Sequence, residues 1–464
     1  MGKRLRSARA GLDLLRAQRQ GASGLARRQE TRFAALVRSA RARSRYYERL
    51  YRGLPADRVV QGDLPPVAKP ELMGSFDDWV TSPSVTRAGV EAFIADPARI
   101  GALYLGRYFV CTTSGMTGLP GLFLHDPGAC AVYQAFTYRV GLAWLSSRQW
   151  LDMARLRDRW AAVVGTGGHF AAGGWMEYQR RRNAWVRHRY RVISVQQPLA
   201  EVVAGLNAFD PAVLIGYPSA LELLAGEQAA GRLRVRPVLV ELAGESVGED
   251  GRARIAAGLG GALHDDYSAS ECMVMAFDCE QGWLHVNSDW VILEPVDADY
   301  RPTPLGEPSH TVLLTNLANR VQPIIRYDLG DTIVTRPEPC PCGSPLPAIR
   351  VEGRRDDVLR LRSTNGRMVS ILPLAIGPVL DQTPGVHRSQ LVQTGPASVQ
   401  LRLDLEPGMQ GGQVWDRACS NLAGFLAAHG LAGIDISRAA ERPETSVTSG
   451  KFRHVIAGPR TAGR

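Results

Sequence analysis

Apolar residues in this chain fall into short blocks separated by glycine, proline and polar turns, and the blocks alternate in period. Residues 30–50 carry helical spacing, and a Pro-rich connector follows at Leu64-Pro-Pro-Val-Ala-Lys-Pro70. Tyr108–Thr112 is a short continuous apolar run entering a Gly-rich turn, which predicts a buried strand. A helix is predicted over 129–145. Strands follow at 212–215, 238–242 and 262–267, with a helix at 219–230 between the first two. Strands interleaved with helices predict an α/β sheet built from crossovers. Two further strands are predicted at 290–295 and 311–315.

The charged run Gly353-Arg-Arg-Asp-Asp357 reads as a hinge. Beyond it lie predicted strands at 358–362, 388–393, 398–404 and 434–437, with helices near 371–381 and 414–429. The expected architecture is a large α/β N-terminal domain over 1–352 and a small α+β C-terminal domain over 353–464.

Length agrees, since 464 residues suffice for one large domain with a sizeable core and a smaller partner. No run of about 18 apolar residues appears, so no membrane span is expected. No apolar segment follows a charged start, so no secretory signal is expected and the predicted location is cytoplasmic. The net charge of +10 changes the picture only locally. Residues 1–50 hold 14 Lys+Arg against 3 Asp+Glu, so the rest of the chain is almost neutral. That terminal segment reads as a solvated, basic, amphipathic helical extension, and no nucleic-acid groove is expected on the folded core. Polyanion binding and an organellar transit peptide fit the same composition.

Only three lysines occur: Lys3, Lys69 and Lys451. Arginine replaces lysine on surfaces but not where a compact ammonium is needed, so each of the three marks a position of interest. The seven cysteines of a chain without a secretory signal point to thiols or a metal site rather than a disulfide framework. Cys279-x5-His285 and Cys340-x-Cys342-Gly343 together offer three thiolates and one imidazole, a closed set for a structural Zn²⁺. The alternative is ordinary buried thiols beside a turn.

The candidate chemistry begins at Thr112-Thr-Ser-Gly-Met-Thr-Gly-Leu-Pro120. Glycines and small hydroxyl residues let backbone N–H groups approach phosphate oxygens, although the run alone also fits a plain turn. Later come Ala243-Gly-Glu245, Asp266-Tyr-Ser-Ala-Ser-Glu271, Ile325-Arg-Tyr-Asp-Leu-Gly-Asp331, the hinge run, and Thr448-Ser-Gly-Lys-Phe-Arg453. In this order the motifs resemble those of the adenylate-forming superfamily of acyl-CoA synthetases, luciferases and peptide-synthetase adenylation domains. Within it, the chain looks most like phenylacetate–CoA ligase-like proteins, including the deazaflavin-cofactor adenylating branch. The resemblance spans about Arg45 to Ile456.

The resemblance implies an AMP-forming ligase that uses ATP, Mg²⁺ and a carboxylic acid. It places Thr112, Thr113, Ser114, Gly115, Thr117 and Gly118 around the phosphates. It puts Gly244, Glu245, Asp266 and Ser268 at the adenine, with Tyr267 stacked on it. Glu271 would hold Mg²⁺, Asp331 the ribose hydroxyls, and Arg354 the ribose or phosphate. Asp356 would be the pivot on which the C-terminal domain rotates between orientations, and Lys451 would reach the α-phosphate and the substrate carboxylate. His169, Phe170, Tyr217, Pro218 and Ser219 fall where such proteins line the acyl pocket, with His169 as gate or substrate contact. Some relatives of this kind carry a zinc knuckle.

Three departures stand out: Leu119 replaces a common lysine, Ser268 replaces the usual glycine, and Arg362-Ser-Thr-Asn-Gly-Arg367 departs from the usual post-hinge glycine placement. The resemblance implies CoA as default acceptor, with an amine or carrier protein as alternatives and a homodimer as a further expectation. A non-catalytic binding protein of the same fold is the rival reading.

Overall fold

The computed structural model describes residues 2–55, 60–113, 121–156, 158–182, 187–245, 247–354, 357–371, 376, 379–380, 383–445 and 452–457. Its N-terminal part opens with α1 (Gly2–Arg19), α2 (Gly21–Arg43) and α3 (Arg45–Leu50), followed by α4 (Lys69–Gly74), α5 (Phe76–Trp79) and α6 (Arg87–Ile94). The expected amphipathic helical extension is present, but its apolar face is docked on the fold rather than solvated. Leu14, Leu25, Phe33, Leu36 and Val37 are buried, and α1 packs along α7 (Pro127–Trp144). The basic excess is partly spent inside the fold. Asp13 accepts from Arg28 and Arg32, and Arg32 also lies over the Trp290 ring at 3.6 Å. Arg139 of α7 forms a bidentate pair with Asp289 at 2.8 and 2.9 Å, with neither side chain more than 3% exposed. A buried pair of this kind tolerates burial because both charges are matched.

A three-stranded antiparallel sheet comprises β1 (Leu103–Tyr104), β2 (Tyr108–Thr112) and β3 (Leu122–His125). The central nine-stranded sheet is built on β4 (Trp160–Val164), β5 (Tyr190–Ser194), β6 (Val213–Gly216), β7 (Leu239–Leu242) and β8 (Ala262–Tyr267). These five run parallel in the order β5-β4-β6-β7-β8. Their crossovers are carried by α9 (Ala171–Arg182), α10 (Leu199–Phe209), α11 (Pro218–Ala229) and α12 (Glu249–Leu259), with α8 (Ser147–Arg155) preceding β4. Strands covered on both faces read as continuous apolar runs, as in Ala161-Ala-Val-Val164 and Val213-Leu-Ile215. The sheet continues antiparallel through β9 (Ala276–Asp278), β10 (Leu284–Val286), β15 (Ala348–Arg354) and β14 (Asp331–Thr335). A third sheet pairs β11 (Val291–Val296), β12 (Thr311–Asn316) and β13 (Tyr327–Asp328).

Residues past β15 assemble a separate core around Leu359, Leu361, Leu391, Leu401 and Leu422. It packs β16 (Leu359–Arg362) with β17 (Met368–Ile371), and α13 (Gly411–Ala428) against a sheet ordered β20 (Asp435–Arg438), β19 (Ser398–Leu405), β18 (Val386–Gly395), β21 (Val455–Ile456). The helix expected near 371–381 lies largely outside the described residues.

In the chain order β4, β5, β6, the connection reverses direction across β4. That reversal leaves a crevice at the carboxyl ends of the parallel strands, the usual ligand position in an open α/β sheet. No helix among the described residues is long and apolar enough to cross a membrane.

Candidate active site

One cavity of about 1510 Å³ opens at those strand ends and extends along the sheet to Trp160 and Tyr190 at the starts of β4 and β5. It exceeds the size usual for a single small ligand, so it has room for more than one bound group. The sequence-selected residues Thr112, Thr113, Phe170, Tyr217, Gly244, Glu245, Asp266, Tyr267, Ser268, Glu271, Asp331 and Arg354 all line it. Segments as distant as β2 and β15 therefore converge on one space.

Strand β2 delivers Thr112 and Thr113 to the cavity rim. Thr113 Oγ1 accepts from the Gly121 N–H at 2.8 Å and from Lys69 Nζ at 2.9 Å. Ser114, Gly115, Thr117 and Gly118 of the same run lie outside the described residues, as do the pivot Asp356 and Lys451. Lys69 was singled out in the sequence only for its rarity. The structure sets it at the N-terminus of α4, lining the cavity beside the threonine pair. Burial lowers its pKa, and the nearby Glu271 carboxylate pulls it back up.

The end of β8 carries the aromatic-to-glutamate segment. Tyr267 Oη donates to Asp331 Oδ2 at 2.5 Å, joining the two expected nucleotide motifs by a direct hydrogen bond. Arg354, at the end of β15, places Nε 3.4 Å from Asp331 Oδ1 and donates to the Leu329 carbonyl at 3.1 Å. Glu271 is buried and accepts from Tyr327 Oη at 2.8 Å. Burial raises its pKa, against which the tyrosine hydrogen bond works. Behind the segment, His125 is fully buried between Tyr133 Oη, 3.1 Å from Nδ1, and the Ser270 carbonyl, 2.9 Å from Nε2. Burial lowers its pKa to about 4. A neutral ring with the proton on Nε2 satisfies both neighbours, because Tyr133 Oη already accepts from Asn316 at 2.7 Å.

Gly244 has φ 72°, a conformation that favours glycine, where the chain turns away from β7. Glu245 next to it accepts from the Ser219 N–H at 3.1 Å and from the Phe452 N–H at 2.5 Å. The cavity floor is crowded with carboxylates from β7 to β9. Burial raises the pKa of Glu241, lifts Asp265 to about 8, and lifts Asp266 to about 6 against the hydrogen bond from Ser268. Arg252 reaches Asp278 at 3.0 Å, and His264 Nδ1 lies 2.7 Å from Asp278 while its ring stacks on Trp144 at 4.6 Å. The cavity walls are also strongly aromatic, with Tyr133, Trp144, Trp150, Trp160, Phe170 and Trp175 among the lining residues.

Three pocket expectations need correction. His169 does not line the cavity. It is buried, its ring packs on Phe93 at 5.5 Å, and its carbonyl accepts from the Thr112 N–H at 2.8 Å. Its contribution is therefore to the rear of the β2 end. Pro218 and Ser219 are also absent from the wall; Pro218 occupies the first turn of α11, and the Ser219 N–H is taken by Glu245.

The predicted cysteine–histidine set does assemble. One ligand atom from each of Cys279, His285, Cys340 and Cys342 lies within 4.8 Å of the others. The Cys279–Cys340 sulfur separation is 3.8 Å. Two thiolates on a tetrahedral Zn²⁺ at 2.3 Å stand roughly 3.8 Å apart, so this edge fits. His285 Nδ1 donates to the Leu346 carbonyl at 3.0 Å, which leaves Nε2 as the free lone pair, 3.1 Å from Cys342 Sγ.

No protein-family model matches the chain, and no curated protein matches it by sequence. Solved structures do match. A 2-hydroxyisobutyryl-CoA ligase in the postadenylation state, in complex with R3-HIB-AMP, is similar at a TM-score of 0.67 with 18% identity, covering 94% of this chain and 89% of that one. The same ligase in the thioesterification state, with 2-HIB-AMP and CoA, overlays at 0.55 with 20% identity, covering 95% and 91%. An anthranilate CoA ligase with anthranoyl-AMP overlays at 0.51 with 15% identity, covering 74% of this chain and 65% of that one. The chain thus has the fold of acyl-CoA ligases over nearly its full length.

Proposed function

We propose that this protein is an ATP-dependent adenylating ligase of the phenylacetate–CoA ligase-like kind, activating a carboxylic acid as acyl-adenylate and passing the acyl group to CoA. The observation that carries the reading is the convergence of Thr113, Lys69, Tyr267, Asp331, Glu271 and Arg354 on one cavity at the carboxyl ends of the sheet. The similarity to ligases solved with an acyl-AMP supports it.

In this reading Tyr267 offers its ring to adenine and orients Asp331 toward the ribose. Arg354 supports Asp331 and faces the phosphates. Lys69 and the Thr112–Thr113 rim meet the phosphate chain, with Ser114, Gly115, Thr117 and Gly118 completing the loop. Lys69 then supplies the cation that Leu119 does not. Glu271 is a buried carboxylate suited to a hard cation, and Mg²⁺ held there would neutralise phosphate charge. The acid's carboxylate oxygen attacks the α-phosphorus, forming the P–O bond of the acyl-adenylate as pyrophosphate leaves with the electron pair. Lys451 follows the charge that develops at the α-phosphate. The CoA thiol, giving up its proton, then attacks the acyl carbon and expels AMP. Positioning and charge stabilisation suffice, without a covalent enzyme intermediate.

The residues past 353 would form the rotating domain, with Asp356 as pivot. Cys279, His285, Cys340 and Cys342 would hold Zn²⁺ in a closed, structural site. The test is ATP–pyrophosphate exchange across aromatic, fatty and amino acids, with AMP release measured with and without CoA. Acid-dependent exchange is expected. Its absence across the whole panel would leave a non-catalytic protein of this fold.

A further inference from the structure

Strand β7 reads Leu239-Val-Glu-Leu242, and its one charged residue stands among buried neighbours: Leu239, Val240 and Leu242 are all buried. Glu241 lines the main cavity. A glutamate within a core strand is rare unless something pairs it. Among the described residues nothing does. No hydrogen bond or ion pair reaches its carboxylate, and the charged groups that act on it, Asp266, Asp265 and Asp278, are themselves carboxylates. The cation of this floor is already engaged, since Arg252 lies 3.0 Å from Asp278 and 3.6 Å from Asp265. The His264 ring is likewise held by Asp278.

Strand register fixes where Glu241 stands. It pairs with Ile215 of β6 and His264 of β8, and Ile215 pairs with Ala162 of β4. Residues paired across strands share a face, so Ala162, Ile215, Glu241 and His264 form one row. The first three line the cavity. Two residues further on, roughly 7 Å toward the carboxyl ends, come Ala243 and Asp266 of the segments read as the adenine site. Glu241 therefore lies one row beneath those segments. Its setting is otherwise apolar: Val140, Trp144, Met153 and Leu239 belong to one buried cluster, against which Trp160 and Ile215 pack. Trp144 is fixed there by stacking on His264, with ring centroids 4.6 Å apart, and by donating from Nε1 to the Asp278 carbonyl at 2.9 Å. Both Trp144 and Trp160 line the cavity with Glu241.

We infer that Glu241 receives a protonated amine carried by the acid substrate, so that the site selects carboxylic acids with a cationic group remote from the reacting carboxylate. Charge complementarity names the occupant. A carboxylate whose charged neighbours are carboxylates gains from a cation, and indole rings attract an ammonium group as well. An apolar acid would leave Glu241 desolvated and without a partner. Burial and the like charges beside it raise the Glu241 pKa, a penalty that a bound ammonium would remove. The inference rests on the adenylation reading and names the substrate class of that same site.

Three pairs of acids test it, each matched in length and shape and differing in one positive charge: γ-aminobutyrate with pentanoate, ε-aminohexanoate with heptanoate, and p-aminomethylphenylacetate with p-ethylphenylacetate. Binding is measured by calorimetry, alongside ATP–pyrophosphate exchange with each acid. A charge-assisted hydrogen bond corresponds to at least about tenfold in affinity. The wild-type protein is therefore expected to favour the amine by at least about tenfold in one or more pairs. Glu241→Gln keeps the shape of the side chain and removes its charge, and is expected to lower that ratio by at least about tenfold. Glu241→Asp keeps the charge and is expected to retain the preference. Because both acids of a pair meet the same protein, the ratio does not move with a partial loss of folded material. A wild-type preference for the neutral acid in every pair, binding of none of these acids, or a ratio unmoved in Glu241→Gln overturns the inference. Exchange confined to the neutral acids overturns it and leaves adenylation standing. Amine-selective binding that Glu241→Gln abolishes, with no exchange for any acid, has the opposite meaning: the Glu241 site holds and the adenylation reading falls.

Discussion

Lys69 shows what a single side chain adds to a cavity whose other lining cations among the described residues are arginines. The Thr113 hydroxyl it bonds is the last described residue before the loop, and the buried Glu271 carboxylate lies close enough to raise its pKa. If the cavity takes ATP as proposed, an ammonium in that position would meet phosphate oxygens as a compact charge. Lys69→Met is expected to lower ATP–pyrophosphate exchange by about 100-fold, the usual cost of losing one transition-state donor. Lys69→Arg is expected to restore only part of it, because a planar guanidinium does not replace an ammonium at close quarters. Exchange within about threefold of wild type in Lys69→Met would remove the residue from the phosphate site. The sequence carried one signal for Lys69, its rarity in an arginine-rich chain, and no spacing tied it to Thr113, 44 positions away. His169 illustrates the converse. Its Gly-Gly-His-Phe setting gave no information on which side of β2 the ring would fall, and the backbone bond from Thr112 N to the His169 carbonyl turns that segment into structural support.

Elements proved legible where one periodicity dominated. Strand β8 occupies residues 262–267 as expected, and β2, β6, β7, β11 and β12 fall within a residue of expectation, because buried strands read as compact apolar runs. Helix α7 is marked by Asp126, whose side chain accepts from the Gly128 and Ala129 N–H groups, with Pro127 in the first turn. Strands β4 and β5 were passed over although β4 is itself a continuous apolar run, and β9, β10, β14 and β15 were not foreseen either. The latter four are short or mixed in polarity, and long-range pairing defines them: β10 lies between β9 and β15. The cysteine–histidine set spans this same region, with Cys279 just past β9, His285 on β10, and Cys340 and Cys342 between β14 and β15. Zinc there would fasten the β9–β10 hairpin to the connection between β14 and β15. Protein purified in reducing buffer is expected to contain about one equivalent of zinc. Cys340→Ser, or removal by a chelator, is expected to lower Tm by at least about 5 °C, since the metal's binding energy contributes to folding. Zinc below about a tenth of an equivalent, or an unmoved Tm, would reject the staple.

At the scale of the whole molecule, Glu245 is where the small C-terminal unit meets the main cavity. Its carboxylate accepts from Ser219 N–H at the start of α11 and from Phe452 N–H, the residue after Lys451. Arg388 strengthens the junction by donating to the Ser219 carbonyl at 3.4 Å while lying 5.0 Å from the Phe452 ring centroid. The overlay is closer for a ligase in its postadenylation state than for the same ligase in its thioesterification state, at TM-scores of 0.67 and 0.55. If the C-terminal unit turns between the two half-reactions, the Glu245–Phe452 bond must break once per cycle. It would stabilise the arrangement that presents Lys451 and be absent from the one that admits the acceptor. Hydrogen bonds to a charged group contribute about 1.5–3 kcal/mol, so their loss amounts to at least about a tenfold shift between the two arrangements. Glu245→Ala is therefore expected to slow acyl-adenylate formation by about tenfold. Transfer from a supplied acyl-adenylate to CoA should be unchanged or faster, because the competing arrangement is weakened. Single-turnover measurement of each half-reaction separates the two. Equal slowing of both would show that Glu245 only shapes the adenine turn, and the latch would then have to be sought elsewhere, with the Arg453–Asp357 ion pair beside the same cavity as the next contact to break.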